Sequence, residues 1–219
     1  MKRVFFLSMG ILALSFSACK KKNPEPEPTP TTEDPTFELQ SKPGSYFVYR
    51  WYIIDYDGVE TETNTYDTIR ILGDTTINEK VFIKLKSMSF GSPLGYEYIR
   101  KENGNVVNSN NTILFSYTNF STQFNYVLEE DFEFYTRMYK SSNPTSVPAG
   151  NFNTIEARIH FKHPQTGQSI NSCNDLEATS STYYASGIGE IKKSVMLYSE
   201  FIQYCKKRER RLVEYYIPD

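Results

Sequence analysis

The sequence has very few of the side chains that bind metal ions. Its 219 residues include only two histidines and three cysteines. A metal centre with several histidines and a four-cysteine zinc site are therefore excluded by number alone. His160 and His163 are three positions apart on a predicted strand, so their side chains point to opposite faces and cannot readily bind one metal ion. We expect no metal site and no bound cofactor.

The sequence also lacks the motifs of common catalytic sites. It has no G-x-S-x-G segment of the kind that presents a nucleophilic serine. No glycine-rich segment joins a strand to a helix, as a nucleotide-binding loop requires, and residues 186–189 (SGIG) instead predict a tight bend or bulge. The acidic pairs that could serve a glycosidase, Asp55 with Asp57 and those at residues 129–131, lie at predicted turns. We therefore expect that the protein is not an enzyme.

Neither sign of charge dominates the chain. Lysine and arginine number 24 and aspartate and glutamate 26, which gives a formal net charge of −2. Proteins that mainly bind nucleic acid usually carry a basic excess, so we expect no nucleic-acid partner. The strongest local run is KKRERR at residues 206–211. It predicts a solvated edge strand, with a surface for phosphate or lipid headgroups as the alternative.

The N-terminal apolar run is too short to cross a membrane. Residues 4–14 form this run, and a spanning helix needs about 20 residues. The run follows Lys2 and Arg3, and small residues come after it. A charged segment, a short apolar segment and small residues in this order predict a cleaved signal peptide at residues 1–18.

Cys19 lies at the predicted cleavage point, directly after Ser17 and Ala18. This arrangement resembles a bacterial lipobox, with Phe16 in place of the usual leucine, and an ordinary secretory signal with a chance cysteine is the alternative. In a lipobox protein the thiol receives a diacylglycerol and the new amino group a fatty acid. Several acyl chains give stable membrane anchoring, so we expect the membrane to be a partner through lipid on Cys19.

A polar tether follows the lipidation site. Lys20, Lys21 and Lys22 are candidate contacts for anionic headgroups. Residues 23–35 then contain five prolines and no hydrophobic residue. Such a segment cannot bury enough apolar surface to fold, which predicts a disordered tether at residues 19–36. A single β-rich domain is expected at residues 37–219.

Aromatic residues supply much of the apolar surface of this domain. They make up 15 % of the chain, whereas all hydrophobic residues together make up 39 %. Apolar and charged side chains alternate at residues 155–162 and 81–86, which is typical of half-buried strands. Residues 45–54 are apolar at both parities, and we expect Tyr46, Tyr49, Trp51 and Tyr52 to pack mainly in the core.

These patterns predict a mainly all-β fold. We expect about ten strands in a single curled antiparallel sheet or in a two-layer β-sandwich or half-barrel. Glycine-containing turns separate the strands, among them Gly73-Asp74 and residues 148–150. At most one short helix is expected, at residues 175–180 with Asn174 as its N-cap.

Two cysteines remain once Cys19 carries lipid. Cys173 and Cys205 form an even pair in a domain that is expected to be exported, which makes them a disulfide candidate. Two free thiols are the alternative.

Several segments together resemble a known group of proteins. They are the lipobox at Cys19, VPAGNFNT at residues 147–154, YYASGIGEIK at residues 183–192 and GDTTINEKVF at residues 73–82. These are similar to motifs of uncharacterised lipoproteins of Bacteroidota-type bacteria, in which a PAGxF-T turn leads into a strand and a GDT-INGK-Y segment forms a hairpin. The resemblance implies a cell-envelope lipoprotein with a curled β-sheet, and it brings no established activity.

The same resemblance bears on location and modification. Surface-exported lipoproteins of that lineage carry an acidic run after the cysteine, whereas this chain carries a basic one. The periplasmic face of the outer membrane of a Gram-negative bacterium is therefore favoured. Thr68 and Thr75 each follow an aspartate in a short pattern that resembles O-glycosylation sites of such bacteria.

Three functions are compatible with these observations. The leading hypothesis is a non-catalytic envelope module, a monomeric domain that binds a protein or glycan partner. The second is a carrier or sensor of a lipophilic ligand on the concave face of the sheet. The third is a hydrolase of glycans or peptides. A deep apolar pocket would favour the second hypothesis.

Overall fold

The computed structural model describes residues 36–55, 57–129, 133–169, 179–196 and 207–219. These ranges contain no helix, and hence none that is long and apolar enough to span a membrane. They contain fourteen strands: β1 (Tyr46–Ile54), β2 (Glu60–Ile77), β3 (Lys80–Ser89), β4 (Ser92–Glu102), β5 (Asn105–Asn108), β6 (Ile113–Ser116), β7 (Phe124–Leu128), β8 (Glu133–Lys140), β9 (Thr145–Val147), β10 (Gly150–Phe152), β11 (Thr154–Lys162), β12 (Thr179–Ala185), β13 (Gly189–Met196) and β14 (Lys207–Tyr216). The all-β prediction is confirmed.

Twelve of these strands form one antiparallel sheet. Its order is β6-β5-β4-β3-β2-β1-β14-β13-β12-β11-β8-β7, and β9 and β10 form a separate hairpin. The C-terminal strand β14 lies between β1 and β13, so it joins the N-terminal and C-terminal halves of the sheet.

The sheet curls until it is nearly closed. The side-chain amide of Asn125 on the edge strand β7 donates to the carbonyl oxygen of Ile113 on the opposite edge strand β6, at 2.7 Å. The rings of Phe115 on β6 and Tyr184 on β12 stack with their centroids 4.0 Å apart. A sheet whose edges meet in this way encloses its concave face, and the curled-sheet form of the prediction is the one observed.

The hairpin between β2 and β3 corrects one predicted turn. The chain reverses at Asn78 and Glu79, which both have positive φ angles, 48° and 64°. Gly73, where a turn was expected, lies inside the 18-residue strand β2 at a register shift opposite β3. Its φ of 108° suits a β-bulge, since glycine has no Cβ to oppose this conformation.

Two hydrophobic clusters line the concave side. The first includes Phe47, Tyr49, Ile191 and Leu212, and the second includes Phe37, Val106, Phe115, Met138 and Ala157. Of the four rings that were expected in the core of β1, Tyr49 and Tyr52 are buried, whereas Tyr46 and Trp51 are half-buried.

Two further predictions about local structure need correction. The last two residues of the segment where a short helix was allowed, Thr179 and Ser180, belong to strand β12, and residues 175–178 lie outside the described residues. The basic run at residues 206–211 was expected on a solvated edge, yet from Lys207 onward it forms an inner strand. Ion pairs with carboxylates balance the positive charges of this run, which allows it to lie inside the sheet.

His160 also differs from its expected environment. It shares the face of its strand with the charged residues that alternate with the apolar ones at residues 155–162, but it is buried. Its ring stacks on Tyr135 with centroids 5.1 Å apart, and its Nε2 lies 2.9 Å from the Tyr139 hydroxyl. Neighbouring aromatic side chains from β8 cover this face of β11.

Several predictions lie outside the described residues. These are the signal peptide at residues 1–18, Cys19, Lys20, Lys21, Lys22, the tether up to residue 35, Asn174, Cys173 and Cys205. The lipid anchor and the disulfide therefore stay predictions.

Candidate functional site

A cavity of about 300 Å³ lies inside the curled sheet. Alternate residues of a strand share one face, so Phe47 and Tyr49 of β1 point into it together with Ile69 and Ile71 of β2. The wall is completed mainly by apolar side chains from β3 to β6, from β12 and from the turn after it: Leu85, Ile99, Val106, Leu114, Phe115, Tyr184 and Ile188. The volume lies at the small end of the range of ligand pockets.

The N-terminal segment at residues 36–44, here called the strap, borders the cavity. Leu39 and Gln40 of the strap line the cavity directly. Phe37 packs against Phe115 with centroids 4.8 Å apart. The backbone N–H of Gly187 donates to the carbonyl oxygen of Glu38 at 2.8 Å, which ties the strap to the turn between β12 and β13. The chain that leads to the predicted tether thus enters the domain beside the cavity.

A second cavity of about 280 Å³ lies beside the strap. Thr36 and Phe37 line it together with Phe120 and Lys140. Tyr184 borders both cavities. Residues of the strap therefore line both cavities.

Arg210 forms part of the polar end of the first cavity. Its guanidinium lies 3.0 Å from Asp67 and 2.5 Å from Glu190, and it packs over the Tyr49 ring at 4.8 Å. Burial alone would lower the pKa of Arg210, but the charge of Glu190 and the hydrogen bonds to both carboxylates raise it. Arg210 therefore stays charged, and its charge is already matched within the protein.

Asp67 is held by further donors from the same face. The indole N–H of Trp51 donates to it at 2.9 Å and the hydroxyl of Ser89 at 2.6 Å. Arg208 packs over the Trp51 ring at 5.0 Å. These contacts fix the positions of Trp51 and Arg210, so this end of the cavity is preorganised.

Two tyrosines of the cavity wall stay neutral. The hydroxyl of Tyr49 donates to the carbonyl oxygen of Glu190 at 2.7 Å. Burial raises the pKa of Tyr49 and that of Tyr184 well above the ordinary value of 10. Both rings therefore contribute apolar surface without adding charge at neutral pH.

Glu97 and Lys193 also line the cavity, and neither forms an ion pair with a described residue. Glu97 is exposed on β4, and one of its carboxylate oxygens accepts a hydrogen bond from Ser87 at 2.5 Å. Lys193 is half-buried on β13. These two side chains give the solvent-accessible part of the cavity one charge of each sign. Neither was predicted, because strand patterning does not show which distant strands share a cavity.

The opposite face of β14 is a structural ion-pair network. Glu209 is buried and lies 2.5 Å from Arg211, 3.2 Å from Lys192 and 3.5 Å from Lys207. Arg211 also contacts Glu60 at 2.5 Å, and this hydrogen bond is the main reason that the pKa of Glu60 is lowered. The charged side chains of the basic run thus form mainly intramolecular ion pairs.

The other candidates of the sequence do not assemble into a site. Within the ranges that the structure covers, no group of three or more His, Cys, Asp or Glu side chains could hold a metal ion. His160 is enclosed by Tyr135 and Tyr139, and His163 lies after β11 at the start of a turn. Residues 186–188 form the turn between β12 and β13, within the segment where a tight bend or bulge was predicted.

Comparisons with known proteins give a limited likeness. No protein-family model matches the chain, and no curated protein matches it. A solved structure from Bacteroides fragilis, described as an exported protein with a YmcC-like fold, is 14 % identical with a TM-score of 0.48. One from Parabacteroides distasonis, described as a lipoprotein, is 13 % identical with a TM-score of 0.47. Each comparison covers 83 % of this chain and 99 % of the other.

Proposed function

We propose that this protein is a lipid-anchored protein of the cell envelope that binds a lipophilic ligand inside its curled sheet and catalyses no reaction. The observation that carries the proposal is the cavity of about 300 Å³, which is lined mostly by apolar residues together with Glu97, Glu190, Lys193 and Arg210. Ligand sites are commonly concave, mostly apolar and equipped with a few fixed polar groups. The ion pair of Arg210 with Asp67 and Glu190 fits this description.

The location follows from the N-terminal sequence. The signal peptide at residues 1–18 and the lipobox at Cys19 support export and lipidation. Lys20, Lys21 and Lys22 favour the periplasmic face of the outer membrane. From Cys19 to Thr36 the tether has 17 Cα-to-Cα steps, which at about 3.3 Å each reach up to about 56 Å when extended. The domain would be able to move away from the membrane surface while it stays attached.

An apolar fluorescent probe tests the cavity. We expect 1-N-phenylnaphthylamine to bind the purified domain with increased emission. Val106 lines the cavity and is 1 % exposed, so Val106→Phe fills part of the space and should weaken probe binding about tenfold or more. Val81, which is 59 % exposed, supplies the matched control Val81→Phe.

Thermal unfolding of both variants establishes that they are folded. Equal probe affinity in wild type, Val106→Phe and Val81→Phe would contradict a ligand site in this cavity. Absence of probe binding to the wild type would also contradict it.

A second candidate function rests on the convex face. Tyr46 and Tyr216 stack there with centroids 5.7 Å apart, and Tyr216 is 51 % exposed. The same row continues across the sheet through Arg70 and Lys86 to Tyr96, because these residues pair directly across β2, β3 and β4. Exposed aromatic rings beside cations suit a protein or glycan partner. This surface would let one domain carry a ligand and also bind a partner.

A further inference from the structure

We infer that the ligand is a single-chain amphiphile whose head group carries one positive and one negative charge. This inference rests on the proposed function and specifies the ligand of the same cavity. It follows from the only two charged side chains that line the cavity without an ion pair to a described residue, Lys193 and Glu97.

The other charged side chains that line the cavity already form ion pairs within the protein. Arg210 is matched by Asp67 and Glu190. The Asp67 carboxylate also accepts hydrogen bonds from Trp51 and Ser89. A ligand would have to break these contacts to reach the carboxylate, and separating a buried ion pair is costly. Recognition of a head group therefore falls to Lys193 and Glu97.

Lys193 offers an ammonium group to an anionic part of the ligand. It is half-buried on β13, where it pairs across the sheet with Arg210 and Thr182. No described carboxylate lies within ion-pair distance of its Nζ. A charge-assisted hydrogen bond to a phosphate or carboxylate would satisfy it, and such bonds are stronger than neutral ones.

Glu97 offers the complementary charge. The Ser87 hydroxyl donates to its Oε1, and its Oε2 has no hydrogen-bond partner among the described residues. Glu97 is exposed, so it lies where the cavity meets solvent. A carboxylate in this position suits an ammonium group at the outer end of a head group.

The charges around the polar end also balance. Of the four charged side chains that line the cavity, Arg210 and Glu190 pair with each other, and Lys193 and Glu97 supply one further charge of each sign. A purely anionic or purely cationic head group would leave one of the two unpaired side chains without a counter-charge. A head group with both charges satisfies Lys193 and Glu97 together.

The apolar part of the cavity limits the tail. A volume of about 300 Å³ is at the small end of ligand pockets, and its wall is built from side chains such as Phe47, Leu85 and Phe115. This space suits one alkyl chain. We therefore assign the class of ligand as a single-chain zwitterionic amphiphile, of which a lysophospholipid with an ethanolamine head group is an example.

Three probes with the same lauroyl chain test this assignment. They are lauroyl-lysophosphatidylethanolamine, lauroyl-lysophosphatidylglycerol and monolaurin, each titrated below its micelle concentration into the soluble domain with the naphthylamine probe bound. We expect the zwitterion to displace the probe about tenfold more tightly than the neutral monolaurin and severalfold more tightly than the anion.

Variants at the two charges identify the source of the preference. Lys193→Met should reduce the affinity for the zwitterion and for the anion about tenfold and leave monolaurin unchanged. Glu97→Gln should reduce only the affinity for the zwitterion, and because Glu97 is exposed this variant should fold normally. Lys162→Met on β11 is the matched control, because Lys162 is half-buried like Lys193 but does not line the cavity.

The outcomes separate the two proposals. Equal binding of all three probes, or tighter binding of the anion than of the zwitterion, would overturn the head-group assignment and leave the lipophilic site in place. Failure of every probe to displace the naphthylamine compound would also overturn the assignment. If the naphthylamine compound itself does not bind, the proposed function fails as well.

Discussion

Glu156 shows how single buried charges are stabilised in this sheet. It is 7 % exposed, and Arg158 donates two hydrogen bonds to it, at 2.7 and 2.8 Å. The hydroxyl of Ser181 donates a third at 2.6 Å. Burial alone would raise the pKa of Glu156, but the bonds from Arg158 and Ser181 outweigh it and lower the pKa below the ordinary 4.5. The ionised form is therefore the one that the fold prefers.

This preference makes part of the stability depend on pH. Because the folded pKa is depressed, the unfolded chain binds the proton first as pH falls. The contribution of Glu156 is therefore fully present above pH 4.5 and is lost as pH falls through the folded pKa. We expect Glu156→Gln to cost about 1–2 kcal/mol at pH 7 and less at pH 3.5.

Urea unfolding at both pH values measures this difference. Glu62→Gln is the control, since Glu62 is exposed and its ion pair with Arg50 lies at the solvent-accessible surface of β2, where little stability is expected from it. A loss of stability in Glu156→Gln that is the same at pH 7 and pH 3.5 would contradict the assigned role of the carboxylate.

At the scale of elements, the turn of the β2–β3 hairpin contains a residue that disfavours the left-handed backbone conformation required there. Asn78 and Glu79 both have positive φ angles, 48° and 64°, as the central residues of a type I′ turn do. Asparagine tolerates this region, whereas glutamate has a Cβ that disfavours it. Asn-Gly is the preferred pair at such turns, so Glu79 is a strained choice.

We expect Glu79→Gly to stabilise the protein. Relief of the left-handed strain should exceed the extra entropy of the unfolded chain, with a net gain of about 0.5–1 kcal/mol. The melting temperature should rise by a few degrees. Glu62→Gly, placed within β2, should lower it instead, because glycine weakens a strand interior. A fall in melting temperature for Glu79→Gly would contradict the strain at this turn.

Strands were predictable from sequence where apolar and polar residues alternate. β3 and β11 show this period of two and were predicted near their observed bounds. β14 was missed as an inner strand because its basic residues suggest solvent, and only the structure shows Glu209 buried among them. β12 was missed because its TSSTYYA sequence is polar at most positions.

At the scale of the whole molecule, the position of the cavity could not be predicted from sequence patterns. The curled sheet was predicted, but the cavity was not located in advance. Glu97 and Lys193 come from β4 and β13, nearly a hundred residues apart, and only the closure of the sheet places both on one cavity. Local periodicity sets which face a side chain occupies, whereas the strand order sets which faces meet.

In the closed sheet, the segment that leads to the predicted tether lies next to the proposed ligand site. The strap contributes Leu39 and Gln40 to the cavity wall and continues toward the tether. Phe37 packs with Phe115 and Tyr117 at the same end of the sheet. A lipid-anchored domain of this form would have its attachment point and its ligand site at adjoining positions.

Native mass spectrometry of the protein extracted from its own membranes shows whether a ligand occupies the cavity of the curled sheet. We expect one non-covalent adduct, released by collisional activation, with the mass of a single-chain amphiphile, and Val106→Phe should carry much less of it than Val81→Phe. Wild-type protein that consistently carries no adduct, or equal adduct on both variants, would contradict a ligand site inside the curled sheet.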